Sequence, residues 1–563
     1  MISIKTIFSE IAKHKKVLIS ANLVAILATM LTIPVPLLIP LLIDEIILGK
    51  GGTITQTIDQ YLTIPSAEYY ILTVLLLTLF LKALSLMFNL LHIRLFTKIS
   101  KEVIYTIRKK LLNHLQTVSM SEYDMLGSGA VSAKIITDVE TVDKFVSSSV
   151  GEIIVEAMTL ISIAVVILYL NWQLALVILV LNPLALGFYL RIFRAVAKIK
   201  KRENKAIEVF QNSLTESLEL YNQIRVQNRE IYFLDDIDEK AKEIRNNGYQ
   251  FGLKSEMALE FSRLLIMYSH DIFRAVGILM VLLGLLTIGK MLAIFAYAWI
   301  IMRPVDKLMN YVHLYFNAKT SIERLNEILE LKSEPKYEHK VDPFKDERTA
   351  SIRLENVSFS YDGKTDILKN LNLKIKQGEK VAIIGETGSG KSTLAQILIG
   401  LYPISSGKIF YNEHEIKEIG YEKVRENVGF VLQSPLMFNN SLRFNLTLGR
   451  EYSDENIYES LRVAQLYEFV EGLENRLETI VGKNGTKLSG GQKQRLSIAR
   501  VLLDNPKVII FDESTSSLDD NTESKLLEAL ESYVKEKTVI TIAHRLSSIE
   551  KADRVIDLSK TTL

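Results

Sequence analysis

The chain has 563 residues, far above the roughly 100–200 of one domain. Its 67 Lys and Arg nearly balance 65 Asp and Glu, leaving +2 and no global case for nucleic-acid binding. With no cysteine, disulfides, thiolate chemistry and Cys-based zinc sites are excluded. Mean hydropathy is +0.18 although 23% of residues are charged. The average conceals a split: long apolar runs fill the first half, and the second half reads as a soluble α/β domain.

The N-terminal SIKTIFSEIAKHKK has the helical apolar spacing of a segment lying along a membrane surface. Val17 to Ile43 follows without a charge. It is too long for a signal-peptide core, so it predicts a retained spanning helix, bent at Pro34, Pro36 and Pro40. A second span runs from Tyr69 to His92, broken only by Lys82. Ala157 to Leu190 is uncharged and too long for one span at ~20 residues each. A tight outer turn at Asn171-Trp172-Gln173 divides it into spans three and four. Spans five and six are predicted at Leu264–Leu286 and Met291–His313, after which a charged linker, Lys332 to Arg348, leads into the second half. The inner segments are basic, with Lys98, Lys101, Arg108, Lys109 and Lys110, and again from Arg191 and Arg194 to Arg202. By the positive-inside rule both termini lie in the cytoplasm. The expected domains are 1–330 in the membrane, a linker at 331–350, and 351–563.

In the second half strands alternate with helices. Lys380–Ile384 is a buried strand running straight into Gly385-Glu386-Thr387-Gly388-Ser389-Gly390-Lys391-Ser392, with a helix from Thr393. This is the G-x-x-x-x-G-K-[ST] phosphate loop. Its glycines let backbone N–H groups approach phosphates, the helix N-terminus adds its dipole, Lys391 reaches the β- and γ-phosphates, and Ser392 can ligate Mg2+. A second buried strand, Val508 to Phe511, ends in Asp512-Glu513, where open α/β sheets place ligands. Asp512 fits the carboxylate that holds Mg2+, and Glu513 a base for the attacking water. The alternative for paired acids at a strand end is plain solvation.

Leu488-Ser489-Gly490-Gly491-Gln492 resembles the signature of ATP-binding cassette (ABC) ATPases. The resemblance assigns roles by position. Tyr361 and Thr393 join residues 385–392 and Asp512 in binding ATP, with Tyr361 stacking on adenine. Gln433 resembles the glutamine that senses Mg2+ and contacts the membrane domain. Ser517 and Asp519 resemble the D-loop, and His544 the switch histidine at the γ-phosphate. Six spans ahead of one ATPase resemble an exporter-type half-transporter. The fold implied is an all-α transmembrane domain with long cytoplasmic extensions, then a RecA-like core with an antiparallel β subdomain and a helical signature subdomain. Tyr123–Val142 and Glu216–Glu230 resemble the two intracellular loops, with coupling helices near 121–129 and 216–229. In such a family the signature residues cap ATP bound to a partner, so a homodimer is implied, and a heterodimer with a degenerate partner stays open. Two departures stand out: Lys483 occupies a position that is usually acidic, and the chain stops soon after the strand Arg554–Leu558, where relatives usually continue for another short strand and helix.

For the cargo, Lys82, Arg94, Arg263, His270, Arg274 and Arg303 sit in or beside the spans. Charges in a bilayer are costly and usually face an interior cavity. Their convergence would suit an amphiphile with an anionic head. The alternatives are local pairing of Asp271 with Arg274 and snorkelling of Lys82 and Arg303. The resemblance implies a multi-pass protein of the bacterial inner membrane that hydrolyses ATP with Mg2+ to export or flip a lipid or drug-like amphiphile. Peptide export, import on an exporter fold and a regulatory descendant remain as alternatives.

Overall fold

The computed structural model describes residues 1–49, 67–361, 363–515, 517–543 and 549–561. They divide into two compact units that do not follow chain order: Met1–Lys110 with Ala133–Asn326, and Leu111–Ser132 with Glu327–Leu563.

The first unit is helical. Among the described residues, Lys15–Ile47, Ala67–Leu115, Ser128–Leu170, Glu230–Leu282 and Ile288–Glu330 are long and apolar enough to cross a membrane. A sixth long helix, Trp172–Glu219, opens on the apolar WQLALVILVL. Between 11 and 39% of each apolar window is buried within the chain. Most of that apolar surface, such as Phe80, Leu86 and Ile161, therefore needs a non-aqueous neighbour.

Local chemistry explains the breaks. Asn171 adopts an extended backbone, and its side chain accepts the Leu174 N–H at 2.9 Å, capping the helix that follows. One residue thus separates the helices ending at Leu170 and starting at Trp172. The prolines near residue 36 replace the regular helix ending at Thr32 by a 3-10 turn, Val35–Leu37, and a π-helical turn, Leu41–Ile47. That rewinding points Asp44 inward. Its carboxylate accepts bonds from Thr287 Oγ1 (2.5 Å) and the Gly289 N–H (2.9 Å) at the start of the helix Ile288–Ile300. A Cβ on Gly289 would lie 2.7 Å from Pro40 Cα, so this approach requires glycine. The apolar core of the unit joins Ile163, Ile167, Leu174, Phe273, Ile294 and Tyr297.

The same unit holds an ionic cluster that sequence reading missed. Lys307 Nζ lies 2.7 Å from both Glu152 Oε2 and Glu156 Oε1. Tyr311 donates its hydroxyl to the same Glu152 oxygen at 2.7 Å.

The second unit carries two sheets. Strands β1 (Ile352–Phe359), β2 (Leu368–Ile375), β4 (Ser406–Tyr411) and β5 (His414–Glu415) form an antiparallel sheet ordered β2-β1-β4-β5. Strands β3 (Lys380–Ile384), β6 (Val428–Val431), β7 (Val508–Asp512), β8 (Thr538–Ile542) and β9 (Arg554–Asp557) form a parallel sheet ordered β6-β7-β8-β3-β9. β7 is buried throughout, as a central parallel strand requires. Parallel pairing brings the C-terminal ends of β3 and β7 to one edge, with β8 between them, and that edge carries the residues treated next.

Candidate nucleotide site

The loop after β3 is set by glycine conformations. Gly385, Gly388 and Gly390 have φ of +153°, +87° and +86°, the region that L side chains avoid. A Cβ on Gly390 would come 2.8 Å from Leu368 Cδ2. The helix Lys391–Leu398 starts directly from this turn, so its first N–H groups face the loop. Lys391 is buried, and its Nζ donates to the carbonyls of Gly385 (2.9 Å) and Glu386 (2.8 Å). The backbone of the loop is therefore already wrapped around a cation. Among the described residues Ser389 Oγ is buried without a hydrogen-bond partner, an orphan that a phosphate oxygen would satisfy. Glu386 and Thr387 are exposed on the outside of the loop.

Across the sheet edge, Ser392 Oγ donates to Asp512 Oδ1 at 3.2 Å, joining positions 120 residues apart. Among the described residues no three His, Asp or Glu side chains gather as a metal cage. A hydroxyl beside one carboxylate fits Mg2+, which takes few protein ligands and completes its shell with phosphates and water. Glu513 follows β7 with φ +46°, a strained value for a side-chain-bearing residue. Its Oε2 accepts from Gln433 Nε2 at 2.7 Å. That hydrogen bond fixes the carboxylate just beyond the end of the strand.

Tyr361 is 41% exposed. Its hydroxyl lies 3.2 Å from Thr393 Oγ1 and donates to Gln396 Oε1 at 2.9 Å, tying it to the helix of the phosphate loop. Its edge contacts are Phe359 and Tyr402, so the ring is held while remaining partly open.

The signature turn lies at the start of the helix Gly490–Leu503. Ser489 Oγ accepts the Gln492 N–H (3.2 Å) and Gln492 Oε1 accepts the Ser489 N–H (2.8 Å), a reciprocal capping box. Ser489 and Gly490 are exposed, and Leu488 is half-buried. Gly491 passes close to the D-loop: a Cβ there would lie 2.9 Å from Leu518 Cδ2. Ser517 is exposed beside it. Asp519 accepts the Thr522 N–H at 3.0 Å, and that backbone bond holds its carboxyl below the usual range. Sequence reading missed Gln494, which is buried in this helix. Its Oε1 accepts the Ser517 N–H (3.0 Å) and its Nε2 donates to the Gln433 carbonyl (3.4 Å). The sequence sign was an amide at helical spacing with Ile498 and Leu502. His544 lies outside the described residues.

Three of the membrane cations have partners on the described helices. Arg274 pairs with Asp271 and Arg263 with Glu260, each one turn away on its own helix. Both arginines therefore carry local counter-charges, the local-pairing alternative. His270 stacks on Trp299, with centroids 5.2 Å apart. Lys82, Arg94 and Arg303 are exposed on this chain.

Residues 18–305 match the family model described as ABC transporter transmembrane region, and residues 368–516 match that described as ABC transporter. The putative multidrug export ATP-binding/permease protein YgaD of Bacillus subtilis (strain 168) is 30% identical over 568 residues, covering 98% of this chain and 93% of that protein. The ATP-dependent lipid A-core flippase of Escherichia coli (strain K12) is 30% identical over 468 residues, covering 81% and 79%. The solved structure of a bacterial Atm1-family ABC exporter with ATP bound matches with a TM-score of 0.80 at 22% identity, over 96% of this chain and 93% of that one; at that identity the likeness is one of fold. With both halves matched in a single chain, the protein belongs to the ABC transporter family, an exporter-type chain in which a helical transmembrane domain precedes an ATP-binding ABC ATPase domain.

Proposed function

We propose that the chain works as a dimer that couples ATP hydrolysis to outward export or flipping of an amphiphile across a bacterial inner membrane, with both termini in the cytoplasm. The observation that carries the reading is the joining of Ser392, Asp512, Glu513 and Gln433 at the edge beside the phosphate loop. Lys391 exchanges its two loop carbonyls for phosphate oxygens. Ser392 and Asp512 would hold Mg2+, which when bound neutralises charge developing on the phosphates. Glu513 takes the proton of the attacking water, oriented by its bond from Gln433. Tyr361 presents its ring to the adenine. The exposed Ser489–Gly490 turn supports a role at a partner's site, since its capping box leaves the start of that helix facing outward.

A dimer with shared sites predicts complementation. Lys391→Ala and Ser489→Arg should each abolish turnover alone. Co-expressed, they should recover it, because a mixed dimer contains one site free of both lesions. A mixture as inactive as either variant would remove the shared-site reading.

The cargo is proposed as an amphiphile because the two named relatives are a flippase and a multidrug export protein. With Arg263 and Arg274 locally paired, a strongly anionic head is not required. The test is ATP-dependent movement of a fluorescent lipid and a neutral drug in vesicles of known orientation. Outward movement of either is expected; inward movement would favour the importer alternative, and hydrolysis without movement the regulator.

A further inference from the structure

The helix Met120–Leu126 belongs to the ATPase unit, although it is encoded among the membrane helices. Its approach is fixed by two backbone bonds to the linker, Ser119 N–H to the Lys332 carbonyl (3.0 Å) and Glu334 N–H to the Thr117 carbonyl (2.7 Å). Met120 packs against the core around β1 and β2. From the ATPase side, the Tyr402 hydroxyl donates to Asp124 Oδ2 of this helix at 2.6 Å.

Tyr402 is 7% exposed, and its other end is the informative one. Its ring meets the edge of Tyr361 with centroids 5.2 Å apart and rings nearly perpendicular, at 87°. Phe359 closes the set, 4.8 Å from Tyr361 and 5.9 Å from Tyr402. Edge-to-face aromatic sets have preferred geometries, so a displaced ring displaces its neighbours. Tyr361 is in turn bonded to Thr393 and Gln396 on the phosphate-loop helix. A continuous series of contacts therefore runs from the phosphate loop through two tyrosines to one carboxylate on Met120–Leu126. Phenylalanine at 402 would pack as well in the aromatic set, so only the hydroxyl reaches beyond it.

We propose that Tyr402 is a positioning residue that reports base occupancy at Tyr361 to the helix Met120–Leu126 through its hydrogen bond to Asp124. The proposal rests on the reading of Tyr361 as the adenine-facing residue. When a base stacks on Tyr361, the ring set settles in one arrangement, and the Tyr402 hydroxyl holds the helix in register with it. A triphosphate without a base fills the phosphate loop and leaves this route unused.

The absence of cysteine allows a direct test on the full chain in lipid nanodiscs. A spin label is placed at Met125→Cys, a position 71% exposed. A non-hydrolysable ATP analogue is expected to change the label's spectrum, and ribose triphosphate to leave it unchanged. Tyr402→Phe and Asp124→Ala should each abolish the change. Each should also lower kcat for ATP hydrolysis about tenfold at unchanged KM, the scale of a hydrogen bond to a charged group. The double variant should be no worse than either single one, as expected of partners in one interaction. Parent-like spectra in Tyr402→Phe, or additive losses in the double variant, would overturn the proposal. Failure of the underlying reading looks different: Tyr361→Ala would then leave ATP affinity unaltered.

Discussion

Replacing Glu513 by Gln is expected to lower ATP turnover by about 10²–10⁴-fold while ATP binding persists. The range is that of a positioned general base, equal to roughly 3–5 kcal/mol of barrier. The substitution is specific because glutamine keeps the shape of the side chain and an oxygen able to accept from Gln433 Nε2, which now lies 2.7 Å from Glu513 Oε2. The strained backbone at φ +46° is likewise indifferent to an amide in place of a carboxylate. What is lost is the proton acceptor. The variant should therefore accumulate with uncleaved ATP, measured as nucleotide retained per chain beside phosphate released. Turnover close to the parent's would remove Glu513 from the role of base and leave its bond to Gln433 as a purely structural contact.

Lys307→Met should destabilise the membrane unit by about 3–5 kcal/mol, the cost of breaking a buried ion pair from one side. The side chains of Lys307 and Glu152 keep 30% and 31% of their exposure, which places the expectation towards the lower figure, whereas Glu156 keeps only 10%. Removing the lysine takes the ammonium from two carboxylates at once. Tyr311 still donates to Glu152, so the larger part of the penalty falls on Glu156. Adding Glu156→Gln to Lys307→Met should therefore restore part of the loss, because a neutral amide tolerates burial better than an unpaired carboxylate. Thermal unfolding in nanodiscs, read by circular dichroism, gives the comparison. An unchanged midpoint in Lys307→Met would show that the pair contributes nothing net.

The difference between these two sites explains how much the sequence could show. The phosphate loop was legible because its chemistry demands contiguous residues: two glycines at a fixed offset, Gly385 and Gly390, then Lys391 and Ser392, between a strand and a helix. Asp512 and Glu513 were legible because a buried strand announces its own end. The turn at Asn171 was legible because bilayer thickness limits an uncharged run. Contacts between distant elements were not. Nothing local pairs Lys307 with Glu152 and Glu156, although two glutamates at i, i+4 before an apolar run could have marked a cluster. Asp44 lay just past the expected end of span one, so its burial against Gly289 was invisible. Tyr402 sat unremarked in a turn, and its bond to Asp124 crosses 278 residues. For Arg263 and Arg274 the spacing left the partners open, and each has a carboxylate one turn away on its own helix.

The allocation of Leu111–Ser132 to the ATPase unit bears on where this protein can be cut. A soluble fragment beginning at the linker would contain this chain's own nucleotide-site residues yet leave its docking face bare. The Tyr402 hydroxyl would lose its carboxylate acceptor, the core under Met120 would meet water, and Lys332 and Glu334 would lose their backbone partners. A fragment spanning 327–563 is thus missing a piece of its own surface, and adding a peptide of residues 111–132 should complete it. In that sense the catalytic body of the protein is assembled from two separated passages of the chain.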